Sequence, residues 1–157
     1  HMPEQFTGRF ADRLDEVSAL SVREASDGDR VGPNEAVVAR GGKHLEIGRE
    51  VGDDLVFSLT ETEPVHSVRP AADVTLQSAA ETVSGPVVAV VLSGMGYDGA
   101  AGVEALADAG ATVLVQDPDT ASIASMPQHA LDTGAVDGSH ATADLPEAII
   151  DAFEAEL

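Results

Sequence analysis

With 157 residues, 43% of them hydrophobic, the chain is long enough to bury a core and too apolar for low-hydrophobicity disorder. It has no cysteine, which excludes disulfides, thiol nucleophiles and cysteine-ligated metals. The formal net charge is −20, all eight cations precede position 70, and Pro70 to Leu157 carries 14 acids with no Lys or Arg. Such a surface repels phosphate backbones and anionic lipid, so nucleic acid is not an expected partner. One lysine against seven arginines, many Asp, abundant Ala and Val and few aromatics read as adaptation to high salt. The longest apolar run, Val87 to Leu92, is far short of a membrane span. No signal peptide is evident, so a cytoplasmic protein without membrane insertion is expected.

Phe6, Phe10, Leu14 and Val17 fall at spacings of 4, 4 and 3, one face of a helix over Glu4 to Val17. Leu20 to Ala25 reads as a short strand and Ser26 to Asp29 as a turn. Ala36 to Ala39 and His44 to Ile47 are β-type runs, and Arg40-Gly41-Gly42-Lys43 between them suits a hairpin turn. Leu55 to Leu59 alternates in the same way, so residues 20–60 predict an antiparallel excursion of small strands. Pro70 starts a helix running to about Val83. Val87 to Leu92 is apolar on both faces, as in a strand of a covered parallel sheet.

Gly99 to Ala109 is helical by composition, with Gly110 placed as a C-terminal cap. Thr112 to Gln116 is a further strand. A helix is expected over Ala121 to Thr133, interrupted near Pro127, and a last one over Leu145 to Phe153 with Asp144 as N-cap. No repeat or low-complexity linker appears. The rhythm predicts an α/β fold: a doubly wound, mostly parallel sheet with helices on both faces, in the Rossmann-like three-layer manner, plus the small antiparallel excursion.

The loop Ser93-Gly94-Met95-Gly96-Tyr97-Asp98-Gly99 joins the carboxyl end of the apolar strand to a helix, where ligands and chemistry collect in such sheets. Gly94, Gly96 and Gly99 match G-x-G-x-x-G, with Asp117 downstream. A dinucleotide is a remote alternative, because Asp98 would face its pyrophosphate and no cation follows to offset it. Asp98 reads either as an N-cap or as an acid orienting a histidine in a hydrolase triad, and both can hold at once. None of the histidines, His1, His44, His66, His129 and His140, forms an H-x-x-x-H or H-E-x-x-H pair, so no metal site is expected. His140 falls in a polar turn. No G-x-S-x-G elbow occurs, and Ser93 comes nearest to one. Arg69, the last cation, is either a structural ion pair or a contact to substrate or receptor.

Gly94-Met95-Gly96-Tyr97-Asp98-Gly99-Ala100-Ala101-Gly102 resembles the signature loop of the chemotaxis protein-glutamate methylesterases. His1-Met2-Pro3 with Phe6-Thr7, Phe10-Ala11 and Arg13-Leu14 is similar to that family's His-Met-Pro helix. Val22 to Ala25, Gly42 to Leu45, Arg69-Pro70 with Asp73-Val74, Gln116-Asp117, Met126-Pro127 and Gly134 to Val136 follow in family order. His-Met at a chain start is also a common cloning remnant, but Pro3 and the Phe-Thr pair continue the family motif.

The resemblance implies hydrolysis of glutamate methyl esters on methyl-accepting chemotaxis receptors, with release of methanol, and in some members deamidation of receptor glutamines. It implies a serine–histidine–aspartate relay without cofactor, with His1 as general base and Asp98 as its orienting acid. The amide of Met95, with Gly94 and Gly96 in the same loop, would help hold the oxyanion. The family serine and the receiver domain lie upstream of the histidine, so residues 1–157 are expected to be a catalytic domain lacking its nucleophile-bearing segment. Such a chain would not turn over by itself. A non-catalytic, receptor- or partner-binding relative, and a monomeric state, complete the expectations.

Overall fold

The computed structural model describes residues 1–155. The chain divides into two compact units, His1–Thr82 and Val83 onward. The fold is α/β, with parallel strand pairs, a small antiparallel sheet and five α-helices among the described residues.

The first unit opens with α1 (Glu4–Val17), followed by β1 (Ser21–Glu24), β2 (Arg30–Val31), β3 (Glu35–Val38), β4 (His44–Val51), β5 (Asp54–Thr60) and α2 (Ala72–Thr82). β1 and β3 pair in parallel, from Ser21 opposite Glu35 to Glu24 opposite Val38. β2, β5 and β4 form an antiparallel sheet in that order. The helix over 4–17 forms as its spacing predicts, but its aromatic stripe does not face the unit's interior: Phe6 is 49% and Phe10 42% exposed. The helix turns Thr7 and Ala11 inward instead. Small side chains there allow close approach. The Thr7 hydroxyl donates to Glu24 Oε1 of β1 at 2.5 Å and accepts the Gly41 N–H at 3.1 Å.

The expected hairpin across residues 40–43 is not formed. β3 pairs with β1, and the hairpin joins β4 to β5 through Gly52, whose φ is +63°. Gly41 serves another purpose. A Cβ there would strike the backbone of Glu4 and the Met2 carbonyl oxygen, so only glycine lets this loop lie against the start of α1.

α2 begins at Ala72 rather than Pro70. Its hydroxyl residues Thr75, Ser78 and Thr82, spaced 3 and 4, lie on one helix face. They serve β4, the last strand in its sheet's order. Thr75 donates to the Leu45 carbonyl at 2.7 Å, Thr82 to the Ile47 carbonyl at 3.1 Å, and the Ile47 N–H donates to Ser78 Oγ at 2.9 Å. A helix thus satisfies backbone groups that a sheet edge leaves open.

The second unit contains β6 (Val88–Val91), α3 (Ala100–Asp108), β7 (Thr112–Gln116), a 3-10 turn (Pro118–Thr120), α4 (Ser125–Asp132), β8 (Gly138–His140) and α5 (Leu145–Ala155). The strands are parallel in the order β6-β7-β8. Burial on both faces belongs to the middle strand β7, whose residues from Val113 to Gln116 are all buried. β6, expected to be the strand buried on both faces, alternates between half-buried and buried positions, and Leu92 just beyond it is exposed. Gly110 takes φ +86° behind α3, the left-handed geometry expected of a C-terminal glycine.

Residues 121–124 lie outside α4, and Pro127 sits in its first turn without interrupting it. The proline's missing N–H costs nothing there, because first-turn amides have no intrahelical acceptor. His140, expected in a polar turn, ends β8 opposite Gln116. Three residues with a central serine are too short and too polar for a periodicity to show.

Candidate functional site

The loop after β6 is held by Gln116 at the end of β7 and by the segment 123–126. The Ser93 N–H donates to the Gln116 carboxamide oxygen at 2.9 Å. The Gln116 amide nitrogen in turn donates to Thr142 Oγ1 at 2.9 Å and the Thr120 carbonyl at 3.3 Å. The Gly94 N–H donates to the Ile123 carbonyl at 3.0 Å, and the Gly94 carbonyl accepts the Met126 N–H at 2.9 Å. Ser125 Oγ accepts the Gly96 N–H at 3.2 Å and donates to the Gly96 carbonyl at 2.9 Å.

Two of the loop's glycines have a stated physical need. A Cβ on Gly94 would land on the Met126 sulfur. Gly96 has φ +91°, a region that L side chains rarely adopt.

This lacing decides which amides remain available. Gly94 and Gly96 both spend their N–H groups on the neighbouring 123–126 segment. Among the described residues none accepts from the Met95 N–H. Met95 itself is 76% exposed.

Asp98 is 3% exposed, so its carboxylate is turned inward at the carboxyl end of β6. It is not the N-cap of α3. That position is Gly99, with φ +100°. His1 stands in the first unit, two residues ahead of the N-cap Pro3 of α1, with its ring-bearing residue exposed. The seat of Gly41 against Met2 and Glu4 fixes the backbone that leads to it.

The other candidates have structural partners. The Ser93 hydroxyl accepts the Ile123 N–H at 2.9 Å and donates to the Ile123 carbonyl at 3.3 Å, a bridge between loops rather than a serine set against an imidazole. Arg69 shows no ion pair within 4.0 Å among the described residues. Its guanidinium donates to the carbonyls of Glu61 and Thr62, at 3.1 and 2.8 Å, in place of an ion pair. The Glu61 carboxylate pairs with Lys43 at 2.9 Å, and the Lys43 hydrogen bond and charge hold it below the ordinary glutamate range.

His44 is fully buried in β4. Its Nδ1 accepts the Ala71 N–H at 3.2 Å, so the proton sits on Nε2, which donates to the Glu63 carbonyl at 3.1 Å. His66 Nε2 lies 2.7 Å from Asp73 Oδ2, tying the 65–68 turn to the first turn of α2. His129 on α4 donates from Nδ1 to the Ser125 carbonyl at 2.7 Å, and its ring lies 6.0 Å from that of Tyr97.

Sequence reasoning found the loop but not its supports. Gln116, Ser125 and Met126 act from 20 or more residues away, and only Gln116 and Met126 fell in stretches with family resemblance. A polar residue ending an otherwise apolar strand was the one local signal for Gln116.

Comparison with known proteins bears on the whole chain. A family model described as CheB methylesterase matches residues 1–149. A protein-glutamate methylesterase/protein-glutamine glutaminase of Natronomonas pharaonis is 51% identical over 156 residues, 99% of this chain and 44% of the relative. One of the same name from Haloarcula marismortui is 45% identical over 157 residues, 100% of this chain and 42% of the relative. The chain thus spans less than half the length of these curated relatives. The crystal structure of the Thermotoga maritima CheB methylesterase catalytic domain superposes with a TM-score of 0.90 at 36% identity, covering 96% of this chain and 79% of that one. The loop that buries Asp98 and the glycine seat behind Met2 both lie within the matched residues, and the chain belongs to the CheB methylesterase family.

Proposed function

We propose that this chain is the histidine- and aspartate-bearing part of an enzyme that hydrolyses glutamate γ-methyl esters on methyl-accepting chemotaxis receptors. His1 is the general base, Asp98 its orienting acid, and the Met95 amide the oxyanion donor. The observation that carries the reading is the state of the loop: its aspartate is buried and Met95 keeps an amide that no described residue uses, while both flanking glycine amides are spent. A free, rigidly presented N–H is what a developing oxyanion needs.

The nucleophilic serine lies in an upstream segment, alongside a receiver domain. Ser93, the nearest alternative in these residues, is committed to Ile123. The imidazole takes the serine proton as the hydroxyl attacks the ester carbonyl, then returns it to the departing methoxide, so methanol leaves. Water repeats the steps on the acyl-enzyme and frees the glutamate. An amide carbonyl presents the same geometry with ammonia as leaving group, and the relatives' names include glutaminase. Receptor glutamines are therefore the second substrate. Arg69 uses one guanidinium nitrogen to hold the 61–62 backbone, and a contact to substrate or receptor is the further role considered for it. The reaction takes no cofactor. The enzyme works in the cytoplasm as a monomer, consistent with the repulsion between two chains of charge −20.

The test is methanol release from methylated receptor membranes, by the 157-residue chain and by a form extended upstream through the serine. The extended form is expected to be active and the shorter chain inactive. In the extended form His1→Ala is expected to lower turnover by about 10³-fold or more, as loss of a triad base does elsewhere. Full activity in the shorter chain, or an unaffected His1→Ala variant, overturns the assignment.

A further inference from the structure

The first turn of α4 holds both peptide groups that meet at Met95. The Gly94–Met95 peptide is fixed at its carbonyl end, where Gly94 accepts the Met126 N–H at 2.9 Å. The Met95–Gly96 peptide is fixed at its amide end, where the Gly96 N–H donates to Ser125 Oγ at 3.2 Å. In a trans peptide the C=O and N–H point in opposite directions. With the Gly94 carbonyl drawn to α4, the Met95 N–H is therefore turned away from that helix, and it meets no acceptor among the described residues. A peptide held at one end only can still pivot. Ser125 holds the next peptide, so the Met95 Cα is anchored from both sides.

The need for that anchor comes from Gly96. It has φ +91° and no Cβ, so no side chain of its own resists rotation of the peptides on either side. The Ser125 hydroxyl also donates to the Gly96 carbonyl at 2.9 Å, so one oxygen bridges both ends of this glycine. A hydroxyl can do this because it has a proton to give and lone pairs to receive. Ser125 is itself held in place: it is the first residue of α4, half-buried, and its carbonyl accepts from the His129 ring at 2.7 Å.

We infer that Ser125 is a positioning residue for the hydrolysis: its hydroxyl fixes the Gly96 backbone and thereby aims the Met95 N–H at the oxyanion. The inference rests on the proposed esterase reading, which makes that amide the oxyanion donor. Such donors work by standing in place before the charge develops. Without the Ser125 hydroxyl the donor is still present but can swing. The loss is therefore smaller than the roughly 10²–10³-fold that follows outright removal of an oxyanion donor, and it falls on the chemical step rather than on substrate binding.

The experiment has two arms. In the upstream-extended enzyme, methanol release is followed over a range of methylated-receptor concentrations for the parent, Ser125→Ala, Ser125→Thr and Thr133→Ala. Ser125→Ala is expected to lower kcat by about tenfold with KM within about twofold of the parent's, and Ser125→Thr, which keeps a hydroxyl, to recover most of the loss. Thr133→Ala removes hydroxyl bonds at the far end of the same helix, to the Ala130 carbonyl and from the Ala135 N–H. It is expected to lower the melting temperature without lowering kcat. In the 157-residue chain, the NMR couplings of Gly96 are expected to report a single φ near +91° in the parent and an averaged one in Ser125→Ala, with faster exchange of the Gly96 amide.

A Ser125→Ala enzyme with the parent's kcat, a loss carried by KM, a Ser125→Thr enzyme as slow as Ser125→Ala, or an equal loss in Thr133→Ala overturns the inference. So do Gly96 couplings that Ser125→Ala leaves unchanged. Failure of the esterase reading looks different: the extended parent itself releases no methanol, while the Gly96 couplings still respond to Ser125→Ala.

Discussion

The Ser93 amide, at the end of β6, is held by the side chain of Gln116, at the end of β7, at 2.9 Å. Neighbouring parallel strands are thereby locked at their carboxyl ends by a side chain, just where the site loop departs. Gln116 is buried and also donates to Thr142 and to the Thr120 carbonyl, so one carboxamide ties together three loops.

Gln116→Leu is expected to keep the shape of the strand end and remove all three bonds. Leaving the Ser93 N–H without its acceptor costs about 1–3 kcal/mol. Urea denaturation should show a lowered midpoint, and hydrogen exchange should show the Ser93 and Gly94 amides losing protection before those of β7. A midpoint equal to the parent's would mean that water replaces the carboxamide at no cost.

Gly41→Ala tests the seat of the His1 leader. The added methyl meets backbone atoms of Glu4 and Met2, which cannot rotate away as a side chain would. Overpacking of this kind costs about 1–3 kcal/mol, and the leader to His1 has to shift to relieve it. In the upstream-extended enzyme, turnover is expected to fall more steeply than the melting temperature would suggest. The comparison variant is Gly28→Ala, where a Cβ meets nothing within 4 Å but the φ of +79° is strained. That change should cost stability while leaving the leader in place.

These two positions show where the sequence was readable. Gly96 and Gly99 take φ of +91° and +100°, a local requirement that a glycine signals, whereas the need for Gly94 lies in the distant Met126 side chain and shows only because it shares their loop. Gly41 was misread as a hairpin glycine because its requirement lies in the backbone of residues 2–4, which no local pattern reveals. The stripe Phe6, Phe10, Leu14 and Val17 correctly gave a helix but not its orientation, since periodicity reports a face and not what covers it. Asp98 looked like a cap because it precedes a helix. The left-handed Gly99 takes the N-cap position itself. Gln116 and Ser125 act through non-local hydrogen bonds, and the parallel order β6-β7-β8 brings the first of these to the loop.

Acid should weaken the first unit in a defined direction. Glu35 is held below the ordinary glutamate value of 4.5, chiefly by the Gly32 N–H that donates to its carboxylate and further by Arg23. A carboxyl depressed in the folded state contributes stability that is complete above its unfolded value. That contribution is lost as pH falls through the lower folded value. Glu35→Gln keeps an acceptor for Gly32 but cannot titrate. Its stability is therefore expected to be lower than the parent's near pH 7 and to approach the parent's as pH drops below about 4. Parallel urea titrations between pH 3 and pH 7 (roughly the range over which glutamates charge) measure the gap. A gap that stays constant would show that the carboxylate contributes nothing to the acid limb.

Salt acts on the chain as a whole. A net charge of −20 on 157 residues repels itself in the compact state, and the second unit has no Lys or Arg with which to form internal pairs. The Debye length is about 10 Å at 0.1 M and about 3 Å at 1 M, so the repulsion between surface carboxylates is largely removed over that interval. The melting temperature is expected to climb across it in sodium chloride. Screening saturates once the Debye length falls below the spacing of neighbouring charges, so the slope should flatten near 1 M. Sodium sulfate also strengthens apolar burial by exclusion from the surface, and it should raise the curve further at equal ionic strength. The two salts therefore separate the contributions: coincident curves assign the gain to screening alone, and a larger gain in sulfate adds burial. A melting temperature that is flat or falling in sodium chloride would remove salt adaptation as the reason for the acidic surface.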